Sequence, residues 1–207
     1  MMTNETNDRS NTADSARAAV SSQRAPSAQL NGLDTNALEA AVGAVARDPS
    51  LAPARFNAKT SWQGRLRSCT EISEYELGGT RITRRHTLYG DEPAELFGEN
   101  SAPNPQDLLL AALNACLMVG FVVGATARGI ELEELCIESS LALDLRGAFG
   151  VDPNVAPGAE RVTYTIEVKG NASPEQFAEI HADVMARSPN RFHLATPLEL
   201  DARLVVR

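Results

Sequence analysis

Three cysteines in 207 residues, at positions 69, 116 and 136, are too few and too scattered for a disulfide scaffold, and no CxxC pair is present to build a metal knuckle. Positive charge is also short: 19 Lys and Arg stand against 27 Asp and Glu, for a formal charge of -8. Phosphate recognition needs a basic face, so this balance argues against a nucleic-acid partner and against an anionic membrane surface. The N-terminal segment lacks the apolar stretch of a secretory signal. With unpaired thiols and no such signal, a cytoplasmic location is expected. His86, His181 and His193 have no paired ligand spacing, so neither a metal nor a cofactor is expected. No internal repeat is visible.

What is present suffices for one domain with appendages, with 43% apolar residues. Residues 1–33 are rich in Ser, Thr, Asn, Gln and Ala, and their charges cancel; they read as a disordered tail. Asp34-Thr35 opens a short helical pattern with Leu38, Ala41, Val42 and Val45 at helical spacing, and Asp48-Pro49 stops it, so 34–50 reads as an appended helix. Strand patterns follow over Arg55–Thr60, Trp62–Ile72 and Thr80–Leu88, with Gly78-Gly79 as a hairpin turn. Residues 89–104 read as a long loop. Asn104-Pro105 starts a helix that runs to Arg128 and closes at Gly129. A strand is expected over Leu132–Leu145. Next comes a turn region rich in Gly and Pro, then an alternating strand over Arg161–Lys169 with Val162, Tyr164, Ile166 and Val168 on one face. Ser173-Pro174-Glu175-Gln176 opens an amphipathic helix that buries Phe177, Ile180, Val184 and Met185. Ser188-Pro189 opens a short second helix, and Leu198–Val206 reads as a closing strand. The order points to an α+β domain.

The stretch LLLAALNACLMVGFVVGATA (108–127) is long enough to cross a bilayer, and Gly120-x-x-x-Gly124 is a small-residue packing motif. A helix buried all round in a soluble oligomer fits the same residues. Burial is favoured, because there is no second span and no flanking Lys/Arg cluster. Cys116 lies inside this run. It is either an inert buried thiol or a thiolate activated by a cation or by hydrogen-bond donors from elsewhere in the fold. Cys69 and Cys136 read as structural, although Cys136, one strand away, is the one alternative thiol partner. Asp91-Glu92 reads as loop structure rather than an acid/base pair, and His86 could line a pocket.

Asn104-Pro-Gln-Asp-Leu-Leu-Leu-Ala-Ala-Leu-Asn-Ala-Cys116-Leu resembles the central-helix signature of the OsmC/Ohr family, the osmotically induced and organic hydroperoxide resistance proteins. Gly129-Ile-x-Leu-Glu-x-Leu, Ala172-Ser-Pro-Glu and Ser188-Pro189 resemble the segments that follow, in the same order, so the resemblance covers about 56–207. It implies a bacterial OsmC-like α+β homodimer, intertwined, with two β-sheets around long central helices. It also implies a thiol-dependent hydroperoxide reductase of oxidative stress defence. Cys116 matches the peroxidatic cysteine. Ser188 stands where the resolving cysteine would be, Gln106 where a catalytic Glu would be, and Arg65 and Arg67 lie close to the activating arginine, with Trp62 the alternative occupant of its matching place. Arg84-Arg85-His86 to Asp91-Glu92-Pro93, together with Ser-Pro, resembles a subgroup of the family. Turnover would use a small hydroperoxide or other electrophile and an external thiol reductant. The alternative is a non-catalytic relative that binds a small apolar ligand or electrophile.

Overall fold

A computed structural model describes residues 29–206. Of the expected tail, 1–28 lies outside the described residues. Its last residues form a small antiparallel hairpin, β1 (Gln29–Leu30) with β2 (Leu33–Asp34). Asn31 at the turn, with φ of 51°, is spent on the body of the protein. Its Nδ2 donates to Thr126 Oγ1 (3.0 Å) and to the Ile130 carbonyl (2.8 Å), and its Oδ1 accepts from the Leu132 amide (2.8 Å). Helix α1 (Thr35–Arg47) follows, with the Asp34 side chain capping Ala37 N.

Four strands make the N-terminal sheet: β3 (Ala54–Phe56), β4 (Lys59–Trp62), β5 (Ser68–Leu77) and β6 (Thr80–Gly90). β3 and β4 pair in tandem along one side of β5, and β6 pairs along the other, all antiparallel. The β5–β6 turn is Gly78-Gly79, both at positive φ (53° and 76°), as a two-residue hairpin requires. The expected continuous strand Trp62–Ile72 is broken. Gly64 (φ 88°) and Arg65 (φ 49°) reverse the chain, and the Gln63 amide closes on the Arg67 carbonyl at 2.9 Å.

Helix α2 (Pro105–Ala127) starts with a capping box in which the Asn104 side chain takes the Asp107 amide (2.8 Å) and the Asp107 carboxylate takes the Asn104 amide (3.0 Å). It ends in a Schellman motif: Gly129 sits at φ 71°, and the Ile130 amide reaches the Ala125 carbonyl at 3.0 Å. By length and composition α2 could cross a membrane; here it is the helix on which the C-terminal half packs. That half comprises β7 (Leu132–Leu141), α3 (Leu145–Ala148), β8 (Val162–Gly170), α4 (Pro174–Arg187) and α5 (Pro189–Ala195). β7 and β8 form a second antiparallel sheet. The strand expected over Leu132–Leu145 stops at Leu141, where the chain leaves the sheet toward α3.

Among the described residues the buried hydrophobic side chains are Leu113, Leu117, Phe121 and Ala125 on α2, with Ile130, Ile137, Ile180 and Val184. The alternating face of β8 and the apolar face of α4 close over them, as their spacing predicts. Each of the leucine, isoleucine, valine and phenylalanine side chains contributes about 1.5–3 kcal/mol by leaving water, and Ala125 less. The expected closing strand is corrected: Leu198–Val206 alternates, but it takes no regular structure and leaves Leu200 and Leu204 each 88% exposed. A strand exists only when a neighbour accepts its amides and carbonyls, and no strand of this chain does so among the described residues.

Candidate functional site

One stripe of α2, at steps of four residues, meets α4 running the other way. From the C-terminal end of α2, Arg128 pairs with Asp183 at 2.6 Å. A Cβ on Gly124 would come within 3.1 Å of Ile180, and one on Gly120 within 3.3 Å of Val184. The next position on the stripe is Cys116, whose Sγ lies 3.3 Å from Ser188 Oγ. The small-residue motif therefore packs a helix of the same chain. The two glycines let α4 approach closely enough to deliver the residue that caps its C-terminal end to the thiol.

Ser188 is at once the C-cap of α4 and the N-cap of α5. As an N-cap its Oγ accepts the Arg191 amide at 3.4 Å. A hydroxyl that accepts on one side keeps its own hydrogen free to donate, and the Cys116 sulfur is within reach. Two further bonds hold the junction in place: Asn190 Nδ2 donates to the Ala112 carbonyl one turn before Cys116 (2.8 Å), and Arg191 donates to the Met185 carbonyl (2.8 Å). Ser188 is buried at 6% exposure, while Cys116 is half-buried and so remains partly open to solvent.

The remaining candidates gather elsewhere. Gln106 is exposed in the first turn of α2, about 15 Å along the axis from Cys116. Arg65 and Arg67 sit in the β4–β5 turn, and both pair with Glu99, at 3.6 and 3.4 Å. Arg65 also donates to the Phe97 carbonyl (3.3 Å). Gln106 and Leu66, the residue between the two arginines, line the same cavity of about 700 Å³. The five candidate residues thus fall apart: Cys116 meets Ser188, Arg65 and Arg67 meet Glu99, and Gln106 lines the cavity without either arginine. Among the described residues no hydrogen bond joins Cys116 or Ser188 to Arg65, Arg67 or Gln106.

Glu99 is held in place by Asp91, which is 1% exposed. The Asp91 carboxylate accepts from the Ser101 amide and hydroxyl (3.0 and 2.7 Å) and from the amides of Glu92 and Glu99 (2.9 and 3.2 Å). Those donors, Ser101 foremost, bring its pKa down to about 2 against the opposing effect of burial. Asp183 is also lowered, first by the Arg128 hydrogen bond and then by the charges of Arg187 and Arg128. The long loop is therefore tied down by a carboxylate, in keeping with the structural reading of Asp91. Glu99 and Asn190 had no signal in the sequence, because their partners lie 32 to 78 positions away.

Cys136 is exposed on β7, whereas its neighbour Ile137 faces the core. Strand alternation turns the Cys136 thiol away from α2, so it does not meet Cys116. Cys69 is half-buried on β5. His86 lines a smaller cavity with Glu71, Glu74 and Arg85, and His181 and His193 are exposed. Among the described residues no group of His, Cys, Asp and Glu gathers as metal ligands.

The family model for OsmC-like proteins matches residues 98–202. Among solved structures, an OsmC-like protein of Mycoplasma pneumoniae is 16% identical, with 68% of this chain and 87% of that one covered at a TM-score of 0.52. A Psychrobacter arcticus protein, named provisionally for an osmotic stress induced and detoxification response, is 17% identical, with 65% and 84% covered at 0.50. An OsmC-like hydroperoxide resistance protein of Jannaschia is 18% identical, with 72% and 90% covered at 0.41. The first two show the fold. No curated protein matches the chain.

Proposed function

The chain belongs to the OsmC-like protein family, and from that premise we propose that it reduces hydroperoxides with Cys116 as a single reactive cysteine. The observation that carries the reading is the 3.3 Å approach of the Ser188 hydroxyl to the Cys116 sulfur. A donated hydrogen bond favours a thiolate over a thiol. The thiolate attacks the outer oxygen of the hydroperoxide. A sulfur–oxygen bond forms, the oxygen–oxygen bond breaks, and the alkoxide leaves and takes up a proton as the alcohol. The sulfur, oxidised by two electrons, becomes a sulfenic acid.

Ser188 cannot close a disulfide, so the next step belongs to an external thiol. One thiol condenses with the sulfenic acid, releases water and leaves a mixed disulfide. A second thiol attacks that disulfide, frees Cys116 and departs as the oxidised reductant. The charged partners near Gln106 complete the site through a second copy of the chain. Support for a homodimer comes from Val119 on the outer face of α2 (63% exposed) and from Trp62 and Phe56 on the N-terminal sheet, apolar surface that a partner would cover.

Stopped-flow mixing with cumene hydroperoxide, followed by intact-mass analysis, tests the chemistry. The expected result is one added oxygen on Cys116 and no consumption in Cys116→Ser; an unchanged rate in that variant overturns the proposal. Ser188→Ala should slow the reaction about ten-fold, the value of one hydrogen bond to a charged group. Ser188→Cys should convert the sulfenic acid into an intramolecular disulfide, visible as the loss of two hydrogens after one equivalent of peroxide.

A further inference from the structure

We propose that Asn190 is a positioning residue for the Cys116 thiol and acts through Ser188. The inference rests on the reading of Cys116 as the reactive cysteine, and it gives Asn190 the task of keeping the serine donor within reach. The half-buried Asn190 donates from Nδ2 to the Ala112 carbonyl at 2.8 Å. In an α-helix that carbonyl is also the acceptor for the amide four residues on, which in α2 belongs to Cys116. Asn190 therefore grips the same helical turn that carries the thiol.

Two contacts thus join the α4–α5 junction to one turn of α2: Ser188 Oγ to Cys116 Sγ at 3.3 Å, and Asn190 to Ala112. Between them lies Pro189, whose ring fixes its φ and removes one backbone freedom. Upstream, the Ser188 amide is tied to the Val184 carbonyl at 2.9 Å. Downstream, the bond from the Arg191 amide to Ser188 Oγ is 3.4 Å, longer than most of its kind, so it holds the hydroxyl only loosely. Asn190 is the firmer tie on that side. Without it α5 is free to swing about Ser188, and a donor already 3.3 Å from sulfur has little length to lose. Charged groups of the neighbouring elements are engaged elsewhere. Arg187 pairs with Asp183 at 3.2 Å, Arg191 donates to the Met185 carbonyl at 2.8 Å, His193 is exposed further along α5, and on β7 Glu133 and Glu134 pair with Lys169. The Ser188 hydroxyl is therefore the contact through which this junction bears on the sulfur, and Asn190 works at one remove.

A double-mutant cycle on the full chain tests the role, read as the pH dependence of Cys116 alkylation by iodoacetamide, with labelling at Cys116 followed by peptide mass. Ser188→Ala should move the pH of half-maximal rate upward by about one pH unit, the roughly ten-fold effect of one hydrogen bond to a charged group. Asn190→Ala should move it about half as far, an effect of about three-fold, because the donor is misplaced rather than removed. In the Ser188→Ala background Asn190→Ala should move it no further, since the serine through which it acts is gone. Asn190→Leu keeps the bulk and loses the donor; it should match Asn190→Ala, and it decides the matter if the alanine variant folds poorly. An unmoved profile in the Asn190 variants overturns the proposal. So does an equal movement with and without Ser188, the mark of a residue that only steadies the fold, and so does a profile unmoved by Ser188→Ala. Peroxide consumption is scored separately: the expected cycle in alkylation with no peroxide consumed would defeat the peroxidase reading and leave the role of Asn190 standing.

Discussion

Between Leu113 and Val184 the chain buries eight hydrophobic side chains, whereas the sheet of β3–β6 buries none. Phe56, Trp62 and Tyr89, the residues that would make that sheet's core, are 69%, 77% and 61% exposed. Both regions carry well-formed hydrogen-bonded ladders. The difference is that α2 finds α4, α5 and β7 within its own chain, while neither face of the N-terminal sheet receives a layer from the described residues. Regular backbone pairing is therefore no measure of self-sufficiency, and a region can be fully formed yet depend on surface it does not own.

The contrast can be broken most forcefully from the inside of the packed half. Leu117→Ala should cost about 2–5 kcal/mol, read as a fall in the urea midpoint of the helical far-ultraviolet signal. Trp62, the only tryptophan, reports on the other region. Its emission midpoint should shift less than the helical one, and equal shifts would show that the two regions unfold as one. Gly124→Val should cost about 1–3 kcal/mol by forcing bulk against Ile180, even though glycine is a poor helix former. Asn31→Ala strands groups at the end of α2 and the start of β7, and should cost about 1–2 kcal/mol by thermal melting.

The smallest effect is confined to the sheet side and depends on pH. The pKa of Asp91 is about 2, below its ordinary 3.8. Its contribution is present above about 4 and is lost as pH falls toward 2. Loss of the loop frees Glu99 from Arg65 and Arg67, and Trp62 Nε1, which donates to the Arg65 carbonyl at 2.8 Å, should register the change in an acid titration of its emission. Asp91→Asn should remove that acid step and leave the helical signal intact. An unaltered titration would place the acid step elsewhere.

Much of the packed half was legible in the sequence because local rules and tertiary packing agree there. Asn104-Pro105 and Gly129 fixed the ends of α2, and the alternation of Val162, Tyr164, Ile166 and Val168 fixed the inward face of β8. The Gln63–Arg67 reversal was hidden because a single glycine in a strand pattern reads as tolerated rather than as a turn. The C-terminal segment misled for the opposite reason: its alternation is real, but alternation does not supply a pairing partner. At the site, the resemblance marked Cys116 and Ser188, and their contact depends on Gly120 and Gly124, whose helical spacing was visible. Glu99 was not legible, because its meeting with two arginines depends on a buried aspartate folding a loop, and no local pattern encodes that.

Position 188 ends one helix, begins another and touches the thiol. Selection therefore acts on it through two traits at once. Alanine there removes both the cap and the donor, so a screen that scores activity alone would confuse a loss of folded protein with a loss of chemistry. Cysteine trades one trait for the other, weakening the cap while restoring a partner thiol. Threonine keeps both functions but must fit an extra methyl where the residue is only 6% exposed. Abundance and turnover measured side by side across a complete substitution set at this one residue would separate the two traits.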